Sequence, residues 1–420
     1  MEKTVKKEID ETKHKVDHLL LLIGKNPLPN AVAGKLLVKD SGSITMLYTA
    51  ETEAAKINLG NFLSGVTFKE PVKIDKSDAG SIFDGIFKAL TLKAGEKQPQ
   101  SIGLHYTGGT KAMSTHAYRA IERWHNEHAP NCQLVFSYLD ARSLRMVFDP
   151  PNPLSGSVEK PYVGDQVKIS LKELIGLHGW SFNKKLGKSI LPVTQALLPE
   201  LAASLAKVHA DPNLIEAWKK WKSANLQSGW NWALPTDTRL ANVCQAMKKD
   251  LYCNSRVIEG EEGAKDFGLK GQQLRLWLNG GFWLEHHTLQ CLTELSADLE
   301  LHDYGQAIDI AVPGATHFDL DVVALHGYQL FAFSCGIGSN LDDKKDLKLK
   351  LFEVFVRARQ LGGDEARVAL ISNYPDPDGL QSEIRSEFDP DGHIRVFGQA
   401  QLGSLKCKLA SWIKEKSHIS

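Results

Sequence analysis

Two stretches of this 420-residue chain carry residues whose types and spacing can do chemistry. The first is Ser101-Ile102-Gly103-Leu104-His105-Tyr106-Thr107-Gly108-Gly109-Thr110-Lys111-Ala112-Met113-Ser114. An apolar strand runs into paired glycines, and a helix begins at Thr110. Glycine reaches positive φ and leaves backbone N–H groups uncovered. Those groups, with the positive end of a helix dipole, make a seat for an anion such as phosphate. Thr107, Thr110, Lys111 and Ser114 add donors beside it. The string is not a Walker loop: Gly103 and Gly108 have the first interval, but Gly109 stands where the lysine belongs. Nor is it Gly-x-Gly-x-x-Gly. The competing reading is a tight strand-to-helix turn whose glycines serve packing.

The second stretch is acidic. Glu285 follows Gly280-Gly281-Phe282-Trp283-Leu284 at a predicted helix start, and Phe318-Asp319-Leu320-Asp321-Val322-Val323 reads as a strand. Side chains two apart on a strand share a face, so Asp319 and Asp321 point the same way. Carboxylates in such an arrangement can hold Mg²⁺ or Mn²⁺. Exposed acids that hold nothing are the commoner case.

Weaker signals have ordinary explanations. His125-x-x-His128 sits at a helix end, where cations are welcome. His286 and His287 follow Glu285, but adjacent helical residues diverge, so at most one faces a common site. Asp140, after Ser137-Tyr138-Leu139, suits turn chemistry as well as a ligand pocket.

The elements that must position these residues follow from hydrophobic periodicity. Strands are predicted at His18–Ile23, Ser43–Tyr48, Val66–Ile74, Ser101–His105, Gln133–Leu139 and Leu144–Phe148. Helices are predicted at Thr49–Phe62, Asp78–Leu90 and Thr110–His125. This alternation implies an α/β fold with a Rossmann-like, doubly wound parallel sheet. In such sheets ligands sit beyond the carboxyl ends of the strands. The turn-rich Gly24–Asn30 loop, the Tyr48–Thr52 turn and the glycine turn converge on that edge. Asp149-Pro150-Pro151-Asn152-Pro153 reads as a linker. Roughly 170–275 is helix-rich, with Leu214, Trp218 and Trp221 forming one buried helical stripe. From about 278 a helix near Gly281 precedes strands at Ala307–Ala311, Phe318–Ala324 and Gln329–Ser334. A helix (Asp346–Leu361), strands at Arg367–Ile371 and His393–Phe397, and a helix over Leu402–Lys414 complete a second α/β unit. The expected division is 1–150, a helical middle segment at 151–277, and 278–420.

Composition bounds the rest. Fifty basic and 50 acidic side chains give a net charge of zero, and 42% hydrophobic with 24% charged residues is ordinary globular usage. A nucleic-acid groove must therefore come from local arrangement rather than bulk charge. The longest purely apolar run, Leu19–Ile23, is far short of the ~20 residues a membrane span needs. The charged N-terminus lacks a secretory h-region. Six cysteines without a Cys-x-x-Cys support neither a zinc knuckle nor a disulfide framework. A reduced, cytoplasmic protein that meets no membrane is expected.

Four strings together resemble a known family. Gly24-Lys25-Asn26-Pro27-Leu28-Pro29-Asn30, Leu47-Tyr48-Thr49-Ala50-Glu51-Thr52, the run from His105 through Thr107-Gly108-Gly109-Thr110-Lys111 to Ile121, and Phe136-Ser137-Tyr138-Leu139-Asp140-Ala141-Arg142 resemble the CRISPR-associated Rossmann fold (CARF) family. The likeness is to CARF proteins fused to a restriction-endonuclease-like domain. The resemblance implies a sheet edge that binds a cyclic oligoadenylate, the second messenger of type III CRISPR antiviral defence, with cyclic tetra-adenylate favoured. It implies a homodimer whose twofold axis passes through the ring, and an isologous dimer does present one surface twice to a symmetric ligand. It assigns ligand contacts to Thr107, Gly108, Gly109, Thr110 and Lys111, and to Asn26, Pro29 and Asn30 in the first loop.

The C-terminal segment resembles the PD-(D/E)xK nuclease layout of the same fused family. There a helix glutamate, a strand aspartate and a Glu-x-Lys on the next strand hold Mg²⁺ or Mn²⁺. The resemblance assigns catalysis to Glu285, Asp319 and Asp321, and metal binding to Glu285 and Asp321. The chain departs from the pattern at Ser334-Cys335-Gly336, where Ser334 stands for the glutamate and Gly336 for the lysine. Lys344, Lys345 and Lys348 follow that strand, either as a migrated lysine or as a solvated charge run. Three readings stand: a messenger sensor whose effector has weak or lost catalysis, a messenger-activated DNA or RNA endonuclease with a rearranged site, and a ring nuclease that cleaves the messenger in the CARF pocket.

Overall fold

The computed structural model describes residues 8–150, 156–185, 188–189, 194–227, 229, 231–251, 253–254, 257–260, 262, 271–315, 317–337 and 343–418. The predicted linker at 151–153 and the charge run at 340–342 lie outside these. The chain forms two compact units: Met1–Ser181 with Ile310–Thr316 and Gln360–Glu365, and Phe182–Asp309 with His317–Arg359 and Ala366–Ser420.

The first unit alternates strand and helix: β1 (Val16–Leu22), α1 (Leu28–Leu36), β2 (Val38–Tyr48), α2 (Glu53–Phe62), β3 (Thr67–Phe68), β4 (Val72–Lys73), α3 (Ala79–Leu90), β5 (Ser101–His105), α4 (Lys111–His128), β6 (Gln133–Asp140) and β7 (Arg145–Phe148). The sheet order is β3-β2-β1-β5-β6-β7, with β4 also on β2. β1 pairs in parallel with β2 and β5, and β5 with β6. β7 returns antiparallel to β6. Parallel strands covered on both faces are apolar throughout, and Leu19–Leu22 and the whole of β5 are buried. One expectation changes: the Gly24–Asn30 segment is not all turn. Pro27 and Pro29 fit the first turn of a helix, where no N–H is needed, and α1 starts at Leu28. The weak strand over Val66–Ile74 resolves into β3 and β4, two residues each.

The second unit carries the helices α5 (Pro199–Ala210), α6 (Pro212–Asn225), α7 (Ala241–Asp250), α8 (Gly271–Gly280) and α9 (Phe282–Leu295). Strands β8 (Leu301–Ala311), β9 (Phe318–His326) and β10 (Gln329–Gly336) follow, then α10 (Asp343–Gly362), β11 (Arg367–Ser372), α11 (Pro377–Glu387), β12 (Ile394–Phe397) and α12 (Leu405–Lys416). The sheet order is β12-β11-β10-β9-β8, with a two-residue strand beyond β8. β9 and β10 are antiparallel, while β10, β11 and β12 run parallel. One hydrophobic core joins the helices of the middle segment to this sheet, from Leu198 and Trp218 through Leu289 to Phe333 and Trp412. Trp218 and Trp221 stack at 4.8 Å between ring centroids, and Leu214 packs against that core. Among the described residues no helix is long and apolar enough to cross a membrane, and no disulfide forms.

Candidate functional site

The strand order of the first unit reverses between β1 and β5, so the chain winds outward on either side of that gap. Ligands of open α/β sheets sit beyond the carboxyl ends of strands at such a switch point. The two loops leaving β1 and β5 meet there. A Cβ on Gly24 would lie 2.9 Å from the Gly109 amide nitrogen, and one on Gly108 would overlap the Leu22 carbonyl oxygen. The two backbones approach so closely that neither position admits a side chain. Gly109 has φ +76°, which L residues rarely adopt.

Neighbouring side chains hold the turn. Thr107 Oγ1 accepts from the Leu139 amide at 2.6 Å, fastening the turn to β6. Thr110 caps α4, its Oγ1 accepting from Met113 N at 3.2 Å. Ser114 Oγ donates to the Tyr106 carbonyl at 3.1 Å. The Tyr106 hydroxyl donates to both Asp149 carboxylate oxygens, and burial followed by that carboxylate pushes the phenol up. Thr110 and Lys111 are exposed at the start of an 18-residue helix. The first-turn amides of such a helix have no intrahelical acceptor, so the turn presents donors and one cation outward.

The structure therefore brings Thr107, Gly108, Gly109, Thr110 and Lys111 together. It separates the first-loop candidates by role. Pro29 and Asn30 are buried within α1. Asn30 Nδ2 donates to the Leu22 carbonyl at 2.8 Å and lies behind Gly108. Asn30 thus supports the turn from beneath. Asn26 is half-buried, its Oδ1 accepting from Leu28 N at 3.1 Å. At the same edge, Lys76 donates to Glu51 at 2.6 Å after β2. Asp140 serves a turn, accepting from Arg142 N at 3.1 Å and from Ser143 Oγ at 2.5 Å.

In the second unit Gly281 (φ +85°) turns the chain into α9, where a Cβ would press Ile337. This sets Glu285 in the first turn of α9, facing the ends of β9 and β10. The ladder between those strands runs from His326–Gln329 to Val322–Phe333. Beyond it the Cys335 amide donates to Asp321 Oδ2 at 2.8 Å. Burial, then the Asp321 and Asp319 carboxylates, push Glu285 up to about 8, opposed by the Lys350 ammonium. Glu285, Asp319 and Asp321 thus share one electrostatic neighbourhood.

Lys350 is the residue that sequence reasoning missed. Its Nζ lies 3.4 Å from Asp321 Oδ2 and donates to the Cys335 carbonyl at 2.9 Å. The side chain is 49% exposed, so its ammonium remains reachable. Ser334 is fully buried, its Oγ without a hydrogen-bond partner among the described residues. A Cβ on Gly336 would meet Leu347 at 3.1 Å, so α10 covers the direction a strand lysine would take. The same helix delivers Lys350 from three residues past Leu347. Lys344 and Lys348 instead pair with Glu383 at 2.5 and 2.7 Å, and Lys348 also with Glu387 at 2.9 Å. These two lysines hold Glu383 down to about 2. The sequence held a signal: residue 350 falls three after Leu347 and four before Val354, both buried.

The histidines near these sites are absorbed locally. His125 and His128 bond the Cys132 and Trp124 carbonyls. His286 contacts the Gln306 amide, and His287 is half-buried beside Cys291. Oxygen donors with excess negative charge fit a hard divalent cation; Glu285, Asp319 and Asp321 influence one another electrostatically, but among the described residues the three do not bring one ligand atom each within 4.8 Å of the others. The third carboxylate that the sequence resemblance leads one to expect is replaced by Ser334.

No protein-family model and no curated protein matches the chain. Solved structures do resemble it in fold. The structure of Can2 from Sulfobacillus thermosulfidooxidans in complex with cyclic tetra-adenylate matches with a TM-score of 0.65 and 18% identity, over 96% of this chain and 98% of that one. Protein VC1899 from Vibrio cholerae matches with a TM-score of 0.66 and 16% identity, over 94% of this chain and 98% of that one. The likeness spans both units and shows a shared architecture: a Rossmann-like parallel sheet, a helical middle segment and a C-terminal α/β sheet.

Proposed function

We propose that this chain is a cyclic-oligoadenylate-responsive effector of type III CRISPR defence, with a metal-dependent nuclease site rebuilt around Lys350. The observation that carries the sensing half is the Gly24/Gly108–Gly109 backbone contact at the switch point, with Thr110 and Lys111 exposed above it. The sequence resemblance and the messenger bound by Can2 both support cyclic tetra-adenylate as the ligand. Residues 1–150 would form the sensing domain and 278–420 the effector domain, in a homodimer that places two turns around one ring.

In the effector, Glu285 and Asp321 would hold Mg²⁺ or Mn²⁺, which when bound supplies a Lewis acid for phosphodiester hydrolysis, with Asp319 adding negative charge beside them. Asp321 orients the Lys350 ammonium. That ammonium offsets negative charge developing on phosphate oxygens, a contribution worth ~10²–10³ in rate for a typical electrostatic donor. Without an ion, burial and the neighbouring carboxylates push Glu285 up to about 8, so binding of the cation would displace its proton. The buried serine at Ser334 supports the second reading, an effector that acts by binding because one carboxylate is missing.

One assay series separates these readings. The full-length protein is incubated with cyclic tetra-adenylate, Mn²⁺ or Mg²⁺, and single- or double-stranded DNA or RNA. Cleavage that requires the ring and is lost in Glu285→Ala and Lys350→Ala supports the nuclease. Ring binding without cleavage of any substrate supports the binding effector. Shortening of the ring itself, lost in Lys111→Ala, would assign ring-nuclease activity to the sensing edge.

A further inference from the structure

We infer that Asp309, His317 and Asp319 form a divalent transition-metal site at the neck of the β8–β9 hairpin. One ligand atom from each lies within 4.8 Å of the others. His317 Nδ1 and Asp309 Oδ1 are 2.9 Å apart. Two cis ligands of an octahedral ion at ~2.1 Å are separated by about 3.0 Å, so this edge already has the spacing a metal would impose.

The donors also differ in how they are held. Asp309 is buried, and Asn183 Nδ2 donates to its Oδ2 at 2.8 Å, while Asn183 N donates to the Asp309 carbonyl at 2.8 Å. The Asp309 carboxylate is thereby fixed on one oxygen, and its other oxygen is turned toward His317. Ligating carboxylates carry such outer-shell hydrogen bonds. His317 and Asp319 are exposed, leaving remaining coordination positions open to water.

The donor set selects among cations. Carboxylates alone suit Mg²⁺ or Ca²⁺, whereas an imidazole nitrogen added to two carboxylates favours ions such as Mn²⁺ or Zn²⁺. Asp319 and Asp321 share one face of β9, and His317 immediately precedes that strand, so Asp319 is the member of the cluster nearest in sequence to the Glu285–Asp321 pair. The ion would tie the end of β8 at Asp309 to the start of β9 at His317 and Asp319. The site needs neither the messenger nor nucleic acid, so it stands or falls separately from the reaction proposed above.

The test is Mn²⁺ binding to the full-length protein, without ring or nucleic acid, read by the loss of the free-ion electron paramagnetic resonance signal. Wild type is expected to bind Mn²⁺, and His317→Ala to weaken it at least tenfold while changing Mg²⁺ affinity less than twofold. His317→Gln and Asp309→Asn should weaken Mn²⁺ similarly, with metal-free melting temperatures reporting that each variant folds. Glu285→Gln/Asp321→Asn should keep a Mn²⁺ site that His317→Ala then removes. Absence of Mn²⁺ binding in wild type, or unchanged binding in folded His317→Ala, would reduce the cluster to an imidazole–carboxylate hydrogen bond and overturn the inference.

Discussion

The glycine turn of the first unit and the acidic row of the second are built by opposite means. The turn is made of backbone. Its parts are contiguous from Thr107 to Lys111, and its shape follows from what Gly24, Gly108 and Gly109 lack. The acidic row is made of side chains from distant elements: Glu285 from α9, Asp319 and Asp321 from β9, and Lys350 from α10. A backbone site tolerates no added atoms but many neighbours. A side-chain site draws its groups from several elements, so under the proposed function the charge expected after Ser334 comes instead from Lys350 on another element.

The comparison can be broken most sharply at Lys350. Lys350→Ala should lower ring-dependent cleavage ~10²–10³-fold, the usual cost of one transition-state charge donor, measured as initial rates on a labelled substrate. Lys350→Arg should restore part of it. Equal rates in Lys350→Ala and wild type would return the lysine to a structural role.

The next effect is in stability. In chelator, Glu285 is raised from 4.5 to about 8, mainly by burial. A carboxyl raised in the fold contributes stability that is complete below its unfolded value and is lost as pH climbs toward the folded one. Glu285→Gln should therefore match wild type near pH 5 and exceed it near pH 9 by a few kcal/mol at most. Denaturant melts across that range read the difference, and a gap that widened toward acid would contradict the assignment.

Gly108→Ala tests the backbone site. Its Cβ would meet the Leu22 carbonyl, so the loops must part at a cost of ~1–3 kcal/mol. Ring affinity should fall at least tenfold, read by calorimetry beside a melt. The smallest change is expected at Lys348, whose partners Glu383 and Glu387 are solvent-accessible. Lys348→Ala should cost less than about 1 kcal/mol and leave cleavage unaltered, setting it apart from Lys350.

The same contrast explains what the sequence made legible. Most strands, the helix start near Thr110 and the convergence of loops on one edge were readable, because parallel pairing and glycine turns leave local marks. The start of α1 at Leu28 was not, because Pro27 and Pro29 signal a turn as strongly as a helix start. Lys350 was hidden among Lys344, Lys345 and Lys348, and only the burial of Leu347 and Val354 shows which lysine faces the sheet. Asn30, a polar residue in a polar loop, reads as a contact, but helix formation turns it beneath the glycines. The pairing of Asp309 with His317 depends on hairpin geometry that no spacing announces.

The proposed sensing role requires that two copies of the glycine turn hold one cyclic messenger. Isothermal titration of the purified wild-type protein with cyclic tetra-adenylate tests it most directly. Saturable heat at one ring per two chains, abolished in Lys111→Glu, is the expected result. No heat from the folded protein, or undiminished heat in Lys111→Glu, would contradict it.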